Sequence, residues 1–254
     1  MTTNSPRIAL VTGANKGIGR AIVRRLGELG HRVYLGARNA DRGRNAERDL
    51  RADGLDVHFV QLDVTDESSV ALAAKRIEEE QGHLDILVNN AGTGAPVVKP
   101  SETPPSVVRR TYETNVFGVI AVIHAMLPLL RRSQAARIVN VSSLVGSLTY
   151  AAERNDPSGV FPKGTFPAVL DYGTSKAALN AVTLTYANEL RDEGILVNAV
   201  SPGFCATDIN DHQGYLTPEQ GARIPVLLAT LEDGGPTAVF LGEDGTPTGQ
   251  RLAW

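Results

Sequence analysis

Residues 7–30 read "RIALVTGANKGIGRAIVRRLGELG". The first six, Arg7–Thr12, form a short apolar, β-rich run. Beyond them Ile18, Ile22, Val23 and Leu26 recur at helical spacing. Between strand and helix lie Gly13, Gly17 and Gly19, in the pattern G-x-x-x-G-x-G. Glycines there let the backbone turn sharply and approach a pyrophosphate, while the helix N-terminus offers free N–H groups and a positive dipole end. A tight turn without a ligand is the plainer alternative. The position directly after an N-terminal strand favours the ligand-binding one.

The remainder of the chain repeats this alternation. Strands are expected at 32–38, 57–63, 84–92 (with its turn), 137–143, 195–200 and 238–241. Helices are expected at about 40–53, from an Asp66 N-cap to about Gly82, at about 104–132, at about 172–193, and after Thr217-Pro218. Alternating strands and helices with right-handed crossovers give an α/β architecture. The expectation is a single doubly wound Rossmann-fold domain over 1–254, with a mainly parallel seven-stranded sheet and helices on both faces. The least regular stretch is Tyr150–Val169, where Pro157, Pro162, Pro167, Gly159 and Gly164 argue against regular structure. It reads as an inserted loop at about 150–168. A substrate-side segment follows at about 204–230.

Bulk properties narrow the function classes. A net charge of −3 gives no electrostatic case for nucleic acid or an anionic membrane. The one cysteine, Cys205, excludes an intrachain disulfide and a cysteine-based zinc cluster, and it reads as a small residue near a site rather than a nucleophile. The five histidines are scattered without metal-ligand spacing, so no metal is expected. No apolar run reaches the roughly 18 residues of a membrane span, and the N-terminus has no signal-like apolar region, so a cytoplasmic protein is expected.

The end of the second strand distinguishes two dinucleotides. An acidic residue there would bind a ribose 2′-hydroxyl. This chain has Gly36, Ala37 and Arg38 instead. Arg38 suits a 2′-phosphate, and Lys16 in the glycine turn could reach the same group. The expected cofactor is therefore NADPH/NADP+. Two solvated surface cations are the alternative, and Asp41, beyond the strand end, is the residue that could support NAD.

In "DYGTSKAALN", residues 171–180, Tyr172 and Lys176 lie four apart and share a helix face. An ammonium beside a phenol is expected to lower its pKa from near ~10 and tune it for proton transfer to an alkoxide. The small residues around them, Gly173, Thr174, Ser175, Ala177 and Ala178, would let the helix lie close to the cofactor and to neighbouring secondary structure. Ser142 and Ser143 end a buried strand, and Asn89-Asn90-Ala91-Gly92 ends another on the same edge, where open α/β sheets place ligands. Asn115 sits mid-helix, an odd place for a poor helix former unless its amide has a task.

Taken in order, Gly13-x3-Gly17-Ile18-Gly19, Asp63, Asn89–Gly92, Asn115, Ser142-Ser143, Tyr172-x3-Lys176 and Ser201-Pro202-Gly203 resemble the short-chain dehydrogenase/reductase family over about residues 7–208. The resemblance implies an NADP(H)-dependent oxidoreductase acting on CH–OH and C=O groups. It makes Tyr172 the general acid/base. Lys176 would bind the nicotinamide ribose and lower the Tyr172 pKa. Ser143, as the second residue of its pair, would bond the substrate oxygen, and Asn115 would hold a water linked to Lys176. It implies cofactor contacts from Gly13, Asn15, Lys16, Gly17, Ile18, Gly19, Arg38, Asp63, Val64, Asn89, Ala91, Gly92, Pro202, Gly203 and Thr207, besides Tyr172 and Lys176.

From Ser143 to Tyr172 is 29 positions, about twice the usual family gap. This insertion resembles the monomeric carbonyl-reductase branch. Phe161 and Phe166 within it could cover the helix face that related tetramers bury, so a monomer is expected; a mobile surface loop is the alternative. Leu144, Val145, Phe166, Phe204 and Tyr215, with Thr93–Val97, would line an apolar pocket for a small-molecule carbonyl substrate. The leading reading is an NADPH-dependent carbonyl reductase of ketones or aldehydes. An alcohol dehydrogenase working in oxidation, or a catalytically silent dinucleotide-binding regulator, remains open.

Overall fold

In the computed structural model, which describes residues 6–157, 159 and 161–254, one eight-stranded sheet runs in the order β3-β2-β1-β4-β5-β6-β7-β8. The strands are β1 (Ile8–Val11), β2 (Arg32–Ala37), β3 (Val57–Gln61), β4 (Ile86–Asn89), β5 (Arg137–Val141), β6 (Leu196–Ser201), β7 (Phe240–Gly242) and β8 (Gln250–Arg251). All neighbours pair in parallel except β7 with β8. The expected seven-stranded sheet is thus corrected to eight. The added strand has two residues, too short for a period-two signal to register.

Nine α-helices occur among the described residues: α1 (Gly17–Glu28), α2 (Ala40–Ala52), α3 (Glu67–Gln81), α4 (Pro105–Tyr112), α5 (Gly118–Leu130), α6 (Leu148–Glu153), α7 (Leu170–Leu190), α8 (Pro218–Gly221) and α9 (Arg223–Ala229). Local chemistry sets their ends. The Asp66 carboxylate accepts from Ser68 N at the start of α3, and Gly82, at φ +76°, closes it. Thr217 and Gln220 form a reciprocal cap on α8, with Pro218 in its first turn.

Two expectations need correction here. The helix expected over 104–132 is interrupted by a π-helical turn at Glu113–Phe117. Tyr150–Glu153, placed in the irregular stretch, belong to α6, capped by the Ser147 hydroxyl accepting from Tyr150 N. Ser158 and Val160 of the inserted loop lie outside the described residues.

Two apolar clusters sandwich the sheet. Leu10, Leu87 and Ile138 face Ile77, Val122, Ile123 and Met126 on one side. Val11, Val33 and Val139 face Ile22, Leu26, Leu50 and Ile224 on the other. The run Pro105–Leu130 has the length and mean hydropathy (1.6) of a membrane span, a property the reading of apolar runs passed over. Its α5 portion supplies Val119, Val122, Ile123 and Met126 to the first cluster, as a core helix does.

Candidate active site and cofactor cradle

The glycine turn is pressed against the segment after β4. Gly13 and Gly17 adopt left-handed conformations, φ +63° and +56°. A Cβ on Gly13 would lie 2.8 Å from Ala91 Cα, and one on Gly19 would lie 2.4 Å from Asn90 Nδ2. The turn is stapled from both sides. Ala14 N donates to Gly36 O at 2.9 Å. Thr12 Oγ1 accepts from the backbone N–H groups of Asn90 and Ala91, and Asn90 Nδ2 donates to the carbonyls of Thr12 and Gly13. Helix α1 opens at Gly17 with no side-chain cap, so its first-turn N–H groups are left to a ligand or solvent. Asn15 and Ile18 are half-buried within the turn, and Ile18 packs on the second apolar cluster.

The two asparagines at the end of β4, Asn89 and Asn90, point in different directions. Asn89 points into the sheet, where Nδ2 donates to Asn140 Oδ1 at 2.9 Å, and Asn140 in turn donates to Thr183 Oγ1. Asn90, which the sequence reading passed over, holds the glycine turn. The alternation of side chains along a strand could have separated them.

Arg38 stands at the end of β2, exposed and without an ion pair among the described residues, and no acid shares that strand end. Lys16 does not join it: its ammonium pairs with Asp208 in the loop after β6. Asp63 Oδ1 accepts from both the N–H and hydroxyl of Thr65, and Val64 is buried against Gly118. Gly92 lacks a side chain where a Cβ would sit 3.5 Å from Asn115 Oδ1 and 3.6 Å from Lys176 Nζ.

Around Tyr172 the structure divides the two serines. Ser143 is the side chain that acts on the Tyr172 hydroxyl, favouring its ionised form. Ser142 instead donates to Asn180 Oδ1 at 2.6 Å, inside the α7 packing. Lys176 is 3% exposed; its Nζ donates to Val141 O at 2.8 Å and lies 5.4 Å from the Tyr172 ring centre. The expected lowering of the Tyr172 pKa is reversed. Burial pushes the phenol up to about 12, opposed only by Ser143. Burial also pushes Lys176 down to about 8. Desolvation sets the direction of both shifts.

Asn115 lies in the π-helical turn, fully buried. Its Oδ1 accepts from Thr93 N, and its Nδ2 donates to Thr93 O and Ser175 Oγ. The misfit seen in the sequence is a local change of helix type, common at functional sites.

Beyond β6, Pro202 is buried and Gly203 takes φ +79°. The Thr207 methyl would sit 3.4 Å from a Cβ on Gly17, so this loop folds over the cradle. Cys205 is buried, with Sγ donating to Pro202 O and its thiol pushed up to about 12 by burial. Phe204 and Tyr215 pack with ring centres 6.2 Å apart, and Phe161 and Phe166 meet edge-on at 6.3 Å. Burial raises the Tyr215 phenol pKa, and the Asp156 charge adds to the shift. Leu144 and Val145 are half-buried in a 3₁₀ turn that ends at Gly146, where a Cβ would lie 2.7 Å from Lys176 C. Of the small α7 residues, Ser175 is fully buried and Ala177 lies under Gly146, while a Cβ on Gly173 would meet only Val145 O, at 3.4 Å. Among the described residues, Thr174, Ala181, Thr185 and Asn188 form an exposed stripe along α7.

Comparison with known proteins adds a family to this geometry. Residues 7–155 and 159–215 match the profile described as short chain dehydrogenase. Short-chain dehydrogenase/reductase 1 of Saponaria officinalis is 38% identical, covering 92% of this chain and 93% of its own. Carbonyl reductase (NADPH) 1 of Homo sapiens is 35% identical, covering 93% and 96%. The NADPH-bound carbonyl reductase from chicken fatty liver superposes with a TM-score of 0.83 at 26% identity, covering 98% of this chain and 99% of that one.

Proposed function

The chain belongs to the short-chain dehydrogenase/reductase family, and from that premise we propose that it reduces the carbonyl of a small ketone or aldehyde at the expense of NADPH, with Tyr172 as general acid. It is an NADP(H)-dependent oxidoreductase acting on C=O and CH–OH groups. The observation that carries the finer reading is the buried Lys176, fixed by Val141 O beside the Tyr172 ring, with Ser143 acting on the same phenol.

The residues present fit the cofactor. Gly13, Gly17 and Gly19 leave a cradle that a Cβ would obstruct, the α1 N-terminus lacks a side-chain cap, and Arg38 has no ion-pair partner among the described residues where a 2′-phosphate would lie. Bound there, NADPH supplies the hydride. The chain supplies placement and the proton. Ser143 and Tyr172 together donate to the substrate oxygen, and a phenol held protonated to about pH 12 remains an acid at neutral pH until that oxygen becomes basic. Lys176 is fixed by Val141 O with its charge near the ring, where it stabilises the phenolate left after transfer. Its pKa of about 8 keeps it mostly protonated at neutral pH. Asn89, Asn90, Ala91, Gly92, Asp63, Val64, Pro202, Gly203 and Thr207 are assigned to the cofactor side. Leu144, Val145, Phe166, Phe204 and Tyr215 are assigned to an apolar substrate wall.

Loss of nicotinamide absorbance with NADPH, across a panel of ketones and aldehydes, tests the reading. No turnover with any of them would overturn it. We extend the proposal to a single-domain monomer. The exposed stripe of α7 is small and polar, so it has little apolar surface to bury in a partner. Light scattering should give a particle of 27.0 kDa; a dimer or tetramer would refute it.

A further inference from the structure

We infer that Asp171, the residue before Tyr172, is a positioning residue that fixes the loop after β4 against the tyrosine ring. This inference rests on the reading of Tyr172 as the proton donor. Asp171 is 3% exposed at the start of α7, yet no cation among the described residues pairs with it. Its Oδ2 accepts two bonds, from Ala95 N at 3.0 Å and from Thr111 Oγ1 at 2.8 Å. It thereby joins three segments: the loop, the end of α4, and the helix that carries Tyr172.

The loop is held at a second point two residues earlier. Asn115 bonds both the N–H and the carbonyl of Thr93, and it also donates to Ser175 Oγ. Ser175 in turn donates to the Tyr172 carbonyl at 2.7 Å. Thr93 and Ala95 are thus both pinned to groups that flank Tyr172. Gly94, between them, approaches the ring so closely that a Cβ there would lie 3.2 Å from Tyr172 Cδ2. A ring confined on that side keeps its hydroxyl near Ser143. Both bonds of Asp171 run to Ala95 and Thr111, and neither reaches the phenol. Asp171 therefore acts through geometry, and an acceptor of the same shape without charge can replace it.

The test uses the full chain and three variants: Asp171→Asn, Asp171→Ala and Thr111→Val. Asn retains an oxygen for both donors, whereas Ala removes it. Expected for Asp171→Ala is a kcat at least about tenfold lower, with NADPH Kd within about threefold of wild type. Asp171→Asn should restore kcat to within about threefold, with an unchanged pH–rate profile, and Thr111→Val should fall between. Amide hydrogen exchange over residues 93–96 should be faster in Asp171→Ala and near wild type in Asp171→Asn. That measurement needs no turnover, so it tests the staple even if the proposed reaction fails. Should Asp171→Ala not fold, Thr111→Val carries the same comparison with one bond removed. An Asp171→Ala enzyme with more than half the wild-type kcat would overturn the inference. So would parallel losses of kcat and NADPH affinity, or an Asp171→Asn variant as impaired as Ala with a shifted pH profile.

Discussion

The two ends of the sheet bury polar groups to different purposes. At the end where the strands begin, the groups satisfy one another. Asp85 accepts from Ile8 N and Ser133 Oγ. Arg137, 1% exposed, spends its guanidinium on Leu231 O, Ala136 O and Asp233. His31 accepts from Arg7 N, and burial together with the Arg7 charge lowers its pKa. At the end where the strands finish, groups are placed with capacity left over. Among the described residues, Arg38 is unpaired and Lys176 has one carbonyl for three donors. A closed network stabilises, whereas an open one is held ready for a ligand. Substitutions at the two ends should therefore fail in different measurements.

The largest effect is expected at the open end. Tyr172→Phe removes only the phenolic proton donor, so kcat should fall about 10²–10⁴-fold while Tm stays near wild type. A variant retaining more than about a tenth of wild-type kcat would mean the proton comes from elsewhere.

Lys176 offers a test through pH, in protein free of cofactor. Its pKa is about 8 folded against 10.5 for an ordinary lysine, so the protonated amine destabilises the fold. That penalty is full below pH 8 and is relieved as pH rises through 10.5. Wild type should gain stability relative to Lys176→Met across this window, by at most about 3 kcal/mol. At about 2–4 °C per kcal/mol, melting curves at its two ends will show the change. A Tm difference that stays flat would show that the amine is not desolvated.

Arg38→Ala should weaken NADPH by about 1.5–3 kcal/mol, the worth of a charge-assisted bond, and leave NADH unaffected. The readout is kcat/KM for both dinucleotides. A wild type that prefers NADH would end the assignment of Arg38 to a 2′-phosphate. Asp85→Ala, at the closed end, should cost about 1–3 kcal/mol because Ile8 N loses its buried acceptor. Well below its Tm the enzyme should turn over as wild type does. A selective loss of kcat there would erase the contrast between the two ends.

Sequence and structure agree most closely where the chemistry is local. The Asp66 cap and the Thr217-Pro218 helix start depend on neighbours within four residues, and both are found as read. Pairs of like residues defeat the same reasoning. Ser142 and Ser143 are equivalent as letters, and so are Asn89 and Asn90. Only the strand's alternation and the position of α7 send one of each pair inward and leave the other at the site. Asn115 is legible as an anomaly, but the π-helical turn that explains it is not.

By itself the sequence determined the alternating α/β order, the glycine turn, the missing acid after β2 and the Tyr172–Lys176 spacing. Each follows from periodicity or from residue chemistry within one turn of chain. The tertiary structure decided what depends on distant partners. Lys16 pairs with Asp208, 192 positions away, rather than standing beside Arg38. Thr174, Ala181, Thr185 and Asn188 keep an exposed stripe along α7. The Tyr172 phenol is raised rather than lowered, because how deeply a group is buried is a property of the whole packed chain, and desolvation there favours the neutral phenol.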